Sequence, residues 1–274
     1  MNLPARMKNL FKDIPAYEKW IKRISSLSDS DAPDRVGGKK LSARARKEKE
    51  NLKKIEVNQD YFGPFADTPV ALELMKRDRF NRAEFERYPG TLAEVLEYMK
   101  KDTKWDAMPR IYLAQHPIDE LPKQLQDDLP PPEIIKNFGK GDIYGSSLWM
   151  GKAPTHTPLH RDPNPNLFVQ LSGKKTFRLM RPDVGRKLYE DVRSKLYNKA
   201  GDGATMRGEE MMQGEEFDKL KQAVWQDKLA TNNTRLGYEV KLKPGCGLYI
   251  PLGWWHAVQA EGVGPNVSVN WWFR

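Results

Sequence analysis

The chain has 274 residues, 39% hydrophobic, 10% aromatic and 30% charged, with a formal net charge of +9 at pH 7. That is enough apolar material for one large domain with an extension, or two small ones. A single cysteine, Cys246, excludes an internal disulfide and a multi-cysteine zinc site, so a reducing compartment is expected.

No apolar run approaches the ~20 residues a bilayer span needs, so no membrane partner is expected; no secretory segment follows Met1. Leu10, Phe11, Ile14, Tyr17, Ile21 and Ile24 recur at helical spacing and predict an opening amphipathic helix, docked on the following domain or on a second subunit. Asp13 and Glu18 argue against a mitochondrial transit peptide. Residues 25–31 read as a polar linker. Residues 39–49 form a basic segment, helical or disordered, which serves nuclear import, touches phosphates, or is simply a solvated charged face. Residues 1–60 are therefore expected as an N-terminal helix plus a basic, partly flexible segment. A nuclear or cytoplasmic location fits this reading.

From residue 61 to about 101, helical patches are expected between turns. The clearest is the helix opened by Thr91 and carrying Leu92, Val95, Leu96 and Met99, with Tyr88-Pro89-Gly90 breaking the chain before it. From Ser146 onward short β-type runs follow, at 148–151, 167–171, 176–180, 238–242, 248–251, 257–260 and 267–273. A charged, helical-looking insertion occupies about 183–233. Its Glu209, Glu210, Glu215, Glu216 and Asp218 either attract a basic peptide or are ordinary surface carboxylates. The expected fold is mainly β with helical additions: a double-stranded β-helix (jelly-roll or cupin) barrel preceded by an α-helical N-terminal region.

The chemistry concentrates in Thr157-Pro158-Leu159-His160-Arg161-Asp162 and Trp254-Trp255-His256. On a strand, His160 and Asp162 point to one face while Arg161 points away or into the rim. With His256 from a distant strand they make two imidazoles and one carboxylate. That set suits iron(II) and leaves half of an octahedral metal's positions open. Of the other histidines, His156 is read as an exposed turn residue or a substrate contact, and His116 as a hydrogen-bonding structural residue. Trp271 and Trp272 should face opposite sides of the last strand, and Cys246 reads as a turn residue between glycines.

These segments, with Asn166–Lys175 motif residues Asn166-Leu167-Phe168-Val169-Gln170-Leu171-Ser172-Gly173-Lys174-Lys175, Pro251-Leu252-Gly253 and Asn266-Val267-Ser268-Val269-Asn270-Trp271-Trp272, resemble the jumonji-C branch of the cupin-like oxygenases. Tyr112-Leu113-Ala114-Gln115-His116 is similar to the segment that opens the cofactor pocket in that family's small protein hydroxylases. The likeness is greatest to the small arginyl-hydroxylase type, also described as a histone lysine demethylase. It covers roughly Tyr112 to Phe273, within a catalytic domain expected over 61–274, and implies His160, Asp162 and His256 as Fe(II) ligands. Lys175 would pair with the distal carboxylate of 2-oxoglutarate, and Thr157 and Tyr112 would donate hydroxyl hydrogen bonds to it. Asn166 would line the metal-chelating end, and Asn270 either faces the site or is satisfied by backbone. Residue type alone would leave Lys175 exposed beside Lys174; the motif context reverses that.

The resemblance implies a 2-oxoglutarate-dependent dioxygenase that consumes O2 and hydroxylates a protein side chain, arginine or lysine first; N-methyl-lysine demethylation would use the same chemistry. The expected partner is a basic protein or peptide. A hydroxylase of a hypermodified transfer-RNA base is the alternative, RNA being held by the basic N-terminal segment. A non-catalytic cupin-fold binding module is a third reading, opposed by the complete ligand set. With Arg274 directly after the last expected strand, the C-terminal dimerisation helices of several relatives are not expected. A dimer contact would then come from the N-terminal region, and the oligomeric state stays open.

Overall fold

The computed structural model describes residues 3–23, 35–36, 39–40, 55–77, 79, 83–101, 109–137, 140–197, 212–225 and 237–274. Its strands are β1 (Ala5–Met7), β2 (Ile21–Arg23), β3 (Arg35–Val36), β4 (Lys39–Lys40), β5 (Ile55–Val57), β6 (Pro69–Arg77), β7 (Ala83–Thr91), β8 (Arg110–Pro117), β9 (Ile143–Lys152), β10 (His156–Arg161), β11 (Asn166–Ser172), β12 (Lys174–Met180), β13 (Tyr238–Leu242), β14 (Gly247–Ile250), β15 (Trp255–Glu261) and β16 (Pro265–Phe273). The helices are α1 (Pro15–Lys19), α2 (Gln59–Phe62), α3 (Leu92–Lys100), α4 (Lys123–Asp127), α5 (Glu133–Lys136), α6 (Pro182–Tyr197) and α7 (Gly214–Trp225). A larger sheet runs β1-β14-β11-β16-β9-β8-β6-β7 and a smaller one β10-β15-β12-β13. The pairings are antiparallel, as the jelly-roll expectation requires.

Alternation along the strands explains why the larger sheet is buried on both faces. Leu167, Val169 and Leu171 of β11, with Val267, Val269, Trp271 and Phe273 of β16, pack outward against α3 and the N-terminal residues Phe11, Ile14 and Trp20. The intervening Asn166, Phe168, Gln170, Ser268 and Asn270 have the opposite facing and are also buried. A second cluster unites Trp149, Phe168, Leu248 and Ile250 with Phe177, Leu179, Leu242 and Val258 of the smaller sheet. Polar side chains confined to that inner face mark where the fold departs from simple core packing.

The insertion supplies two helices. Tyr189, Val192, Leu220 and Val224 of α6 and α7 pack on Leu159, Met180, Trp255 and Ala257, covering the smaller sheet. Glu209 and Glu210, Ile24, the 25–31 linker and all of the basic run but Lys39–Lys40 lie outside the described residues.

Two expectations change. The opening segment is helical only over α1; Ile21 then pairs with Val57 in a β2–β5 ribbon. Tertiary partners override the 3.6-residue period here: Trp20 donates its indole N–H to Asp128 at 2.8 Å, and Asn58 N–H donates to the Trp20 carbonyl at 2.8 Å. Phe11, Ile14 and Ile21 are nonetheless core, with Trp20 fully buried, whereas Leu10 is exposed. Residues 69–77 and 83–91 pair as antiparallel β6 and β7 instead of forming helical patches, and Tyr88-Pro89-Gly90 continue β7 opposite Leu72, Ala71 and Val70. The expected α3 is present, with a capping box between Thr91 and Glu94.

Candidate metal centre

His160, the last residue but one of β10, lies directly opposite His256 on β15, so strand pairing alone brings the two rings together, their centroids 4.2 Å apart. Asp162 follows one residue beyond β10. Its carboxylate oxygens lie 3.7 Å from His160 Nε2 and 3.6 Å from His256 Nε2. All three ligand atoms fall within 4.8 Å of one another. Both rings are oriented alike: Nδ1 lies 2.8 Å from the Pro158 carbonyl in His160 and 3.3 Å from the Trp254 carbonyl in His256. Each Nδ1–H donating to a carbonyl leaves the Nε2 lone pair for a metal. Burial, then the neighbouring His256, push His160 down to about 4 against the opposing pull of Asp162. A neutral ring is the form that ligates. Asn166 Nδ2 donates to Asp162 Oδ2 at 2.7 Å and fixes the carboxylate from behind.

These groups line a cavity of 380 Å³ together with Lys175, Thr157, Trp149, Phe168, Asn270 and Trp272. Lys175 points inward from β12 and is 4% exposed. Its ammonium donates to Ser268 Oγ at 2.8 Å and Tyr112 Oη at 3.1 Å, and sits 5.0 Å from the Phe168 ring centroid. Among the described residues no carboxylate pairs with it, and burial alone pushes it down to about 7. Tyr112, held on β8 of the larger sheet, has its phenol pushed up by burial and by Glu73. A buried cation with only neutral donors around it is an incomplete ion pair, and an anion entering the cavity completes it. The residues present therefore fit both a divalent metal and a diacid beside it.

Some assignments shift. Asn270 accepts the Trp149 indole N–H at 2.7 Å, while its own Nδ2 is buried without a partner and so remains available to the cavity. Thr157 lines both this cavity and a neighbouring one of 710 Å³. His156 opens strand β10 and lines the larger cavity, so it is not an exposed turn; burial, Lys221 and Arg110 hold it down to about 4. His116 is 4% exposed with Nε2 lacking a partner, which differs from the hydrogen-bonded residue expected. Trp271 fills the outer core while Trp272 lines the cavity, and Cys246 is buried beside the Gly245 turn. Ser268 was not singled out from sequence. Its signal was positional, two residues before Asn270 on one strand face.

The description "Cupin-like domain" matches residues 1–274. The chain belongs to that cupin-like family. Its relatives bear out the jumonji-C resemblance. Lysine-specific demethylase JMJ30 of Arabidopsis thaliana is 31% identical over 66% of this chain and 38% of its own length. Lysine-specific demethylase 8 of Xenopus tropicalis is 30% identical over 59% and 32%. Jumonji C domain-containing protein 5 of Drosophila melanogaster is 26% identical over 99% and 54%. The chain thus spans between a third and about half the length of these cupin-like relatives. Jumonji-C oxygenases use iron(II) and 2-oxoglutarate, and the His-Asp-His cluster of this chain is a group that could hold such an ion.

Proposed function

We propose that this chain is an iron(II)- and 2-oxoglutarate-dependent oxygenase that hydroxylates a protein side chain, arginine or lysine. The observation that carries the reading is Lys175: a buried ammonium with no carboxylate partner among the described residues, in the same cavity as the two-histidine, one-carboxylate cluster. His160, Asp162 and His256 would hold the metal, and Lys175, Tyr112, Thr157, Asn166 and Asn270 the co-substrate. Bound iron(II) would supply coupled decarboxylation of 2-oxoglutarate and hydroxylation of an unactivated C–H bond by oxygen. The protein's part is positional. Asn166 orients the carboxylate ligand, Lys175 anchors the diacid, and Trp149, Phe168 and Phe177 limit water around both.

A basic target is supported by the adjoining cavity of 710 Å³, in whose lining the four acids Glu73, Glu84, Glu215 and Asp218 outnumber the cations Arg110 and Lys221, and which shares Trp149 and Thr157 with the site. Glu73 is 7% exposed there, with Arg87 2.9 Å away as one partner. Demethylation of N-methyl-lysine would follow the same hydroxylation, with formaldehyde lost afterwards. In this reading residues 61–274 carry the machinery, residues 1–60 pack against or extend from it, and the protein works in the nucleus, the cytoplasm or both.

The test is conversion of 2-oxoglutarate to succinate by the purified chain, dependent on iron(II) and oxygen and stimulated by arginine- or lysine-containing peptides. Asp162→Ala should abolish it. Stimulation by transfer RNA and not by peptides would replace the protein substrate with a nucleobase. Binding of 2-oxoglutarate without any turnover would leave only a binding module.

A further inference from the structure

The larger sheet is split next to the site. β6 and β8 pair only at Glu73–Tyr112, Leu74–Ile111 and Met75–Arg110. Continued in register, Leu72, Ala71 and Val70 would face Leu113, Ala114 and Gln115, yet no pairing joins them. The cause is a bulge: β8 pairs with β9 at Leu113–Met150 and again at His116–Leu148, so Ala114 and Gln115 together oppose Trp149. Gln115 takes a left-handed conformation there, at φ 51°. A bulge of this kind bends its strand away and ends pairing.

The gap is a groove of 810 Å³, lined by Pro69, Val70 and Ala71 on one side, Ala114 through Pro117 on the other, and β7 residues including Arg87 and Pro89. Its walls carry strand edges whose main-chain groups lack a ladder partner, the template on which an extended peptide adds as a strand. His116 lines it, and its Nε2 is buried without a partner. The groove also adjoins the chemistry. Ala114 lines both it and the 710 Å³ cavity, and Gln115 lines both it and the metal cavity.

We propose that the split between β6 and β8 is the substrate's main-chain dock: an extended polypeptide segment adds there as a short strand, His116 Nε2 hydrogen-bonds to it, and Gln115 marks where its next residues turn toward the metal. This rests on the protein-substrate reading above and deepens it. Recognition would then be largely independent of sequence along the docked segment, because backbone groups do the binding. Selectivity would come from the single side chain that enters the cavities.

The experiment is amide hydrogen exchange on the full chain loaded with manganese(II) and 2-oxoglutarate, with and without a pool of short arginine- and lysine-containing peptides of degenerate sequence. Exchange should slow at residues 70–72 and 114–116 with the peptides. Unchanged exchange there, or slowing given only by single-stranded RNA, overturns the proposal. As a second measurement, Ala71→Trp fills the groove from an exposed position. It should weaken peptide binding about tenfold, the scale of losing a pair of hydrogen bonds, while leaving 2-oxoglutarate affinity unchanged. Equal peptide affinity and equal peptide-stimulated succinate formation in that variant would refute the dock and leave the oxygenase reading standing. Peptide protection of the split without peptide-dependent succinate would do the reverse.

Discussion

Lys175 shows how a residue's environment overturns its type. A lysine on a strand beside another lysine is ordinarily solvated, and here it is 4% exposed with Ser268 and Tyr112 as its donated partners. Lys175→Met should raise the dissociation constant for 2-oxoglutarate about 10- to 100-fold, the worth of a charge-assisted hydrogen bond, as read by calorimetry. The pH dependence follows from the direction of its shift. The free site holds its proton only below about 7, whereas binding a diacid requires the ammonium. Affinity should therefore fall as pH rises above 7, with proton uptake on binding there, seen as a buffer-dependent heat that Lys175→Met abolishes. Stability of the ligand-free chain runs the other way. Between about 7 and the ordinary value of 10.5 the unfolded chain binds the extra proton, so this residue's contribution grows more favourable with rising pH. The clustering of His160, Asp162 and His256 and the inward facing of Lys175 were legible because the resemblance to jumonji-C motifs carried them. Ser268 and the free nitrogen of Asn270 were not, since they depend on which strand faces the cavity.

At the scale of elements, close approach and buried anchors decide what can vary. A Cβ on Gly185 of α6 would stand 2.2 Å from Trp255 Cγ. Gly185→Ala should push the helix from β15, costing about 1–3 kcal/mol of stability by overpacking, and should loosen His256 beside Trp255. Denaturant unfolding and manganese(II) affinity would both register it. Asp128, 1% exposed, collects Lys19 at 2.6 Å, the Trp20 indole at 2.8 Å and the Tyr61 hydroxyl. Asp128→Ala leaves the indole and the phenol short of an acceptor. It should cost about 3 kcal/mol in chemical denaturation with 2-oxoglutarate affinity in the folded protein unchanged. Most β-type runs after Ser146 could be read because Gly, Pro and Asn punctuate them. The β6–β7 pair could not: Tyr88-Pro89-Gly90 looks like a break, and only pairing with Val70, Ala71 and Leu72 keeps it extended.

Across the whole molecule, two sheets enclose the chemistry. Outward-facing residues of β11 and β16 bind the helices and the N-terminal segment, and inward-facing ones build the cavity. No helix of the described residues is long and apolar enough to cross a membrane. Manganese(II) with 2-oxoglutarate should raise the midpoint of thermal unfolding of the intact chain, because both bind only the folded state, and Asp162→Ala should remove most of that gain. By itself the sequence determined the barrel class and, through its resemblance to jumonji-C motifs, singled out His160, Asp162, His256 and Lys175, because strand period and motif order are local properties of the chain. Only the tertiary structure decided how the opening segment winds into the core, where β6 parts from β8, and how three cavities meet around Ala114, Gln115, Trp149 and Thr157. Those features arise from contacts between residues far apart in sequence, whose register no local pattern encodes.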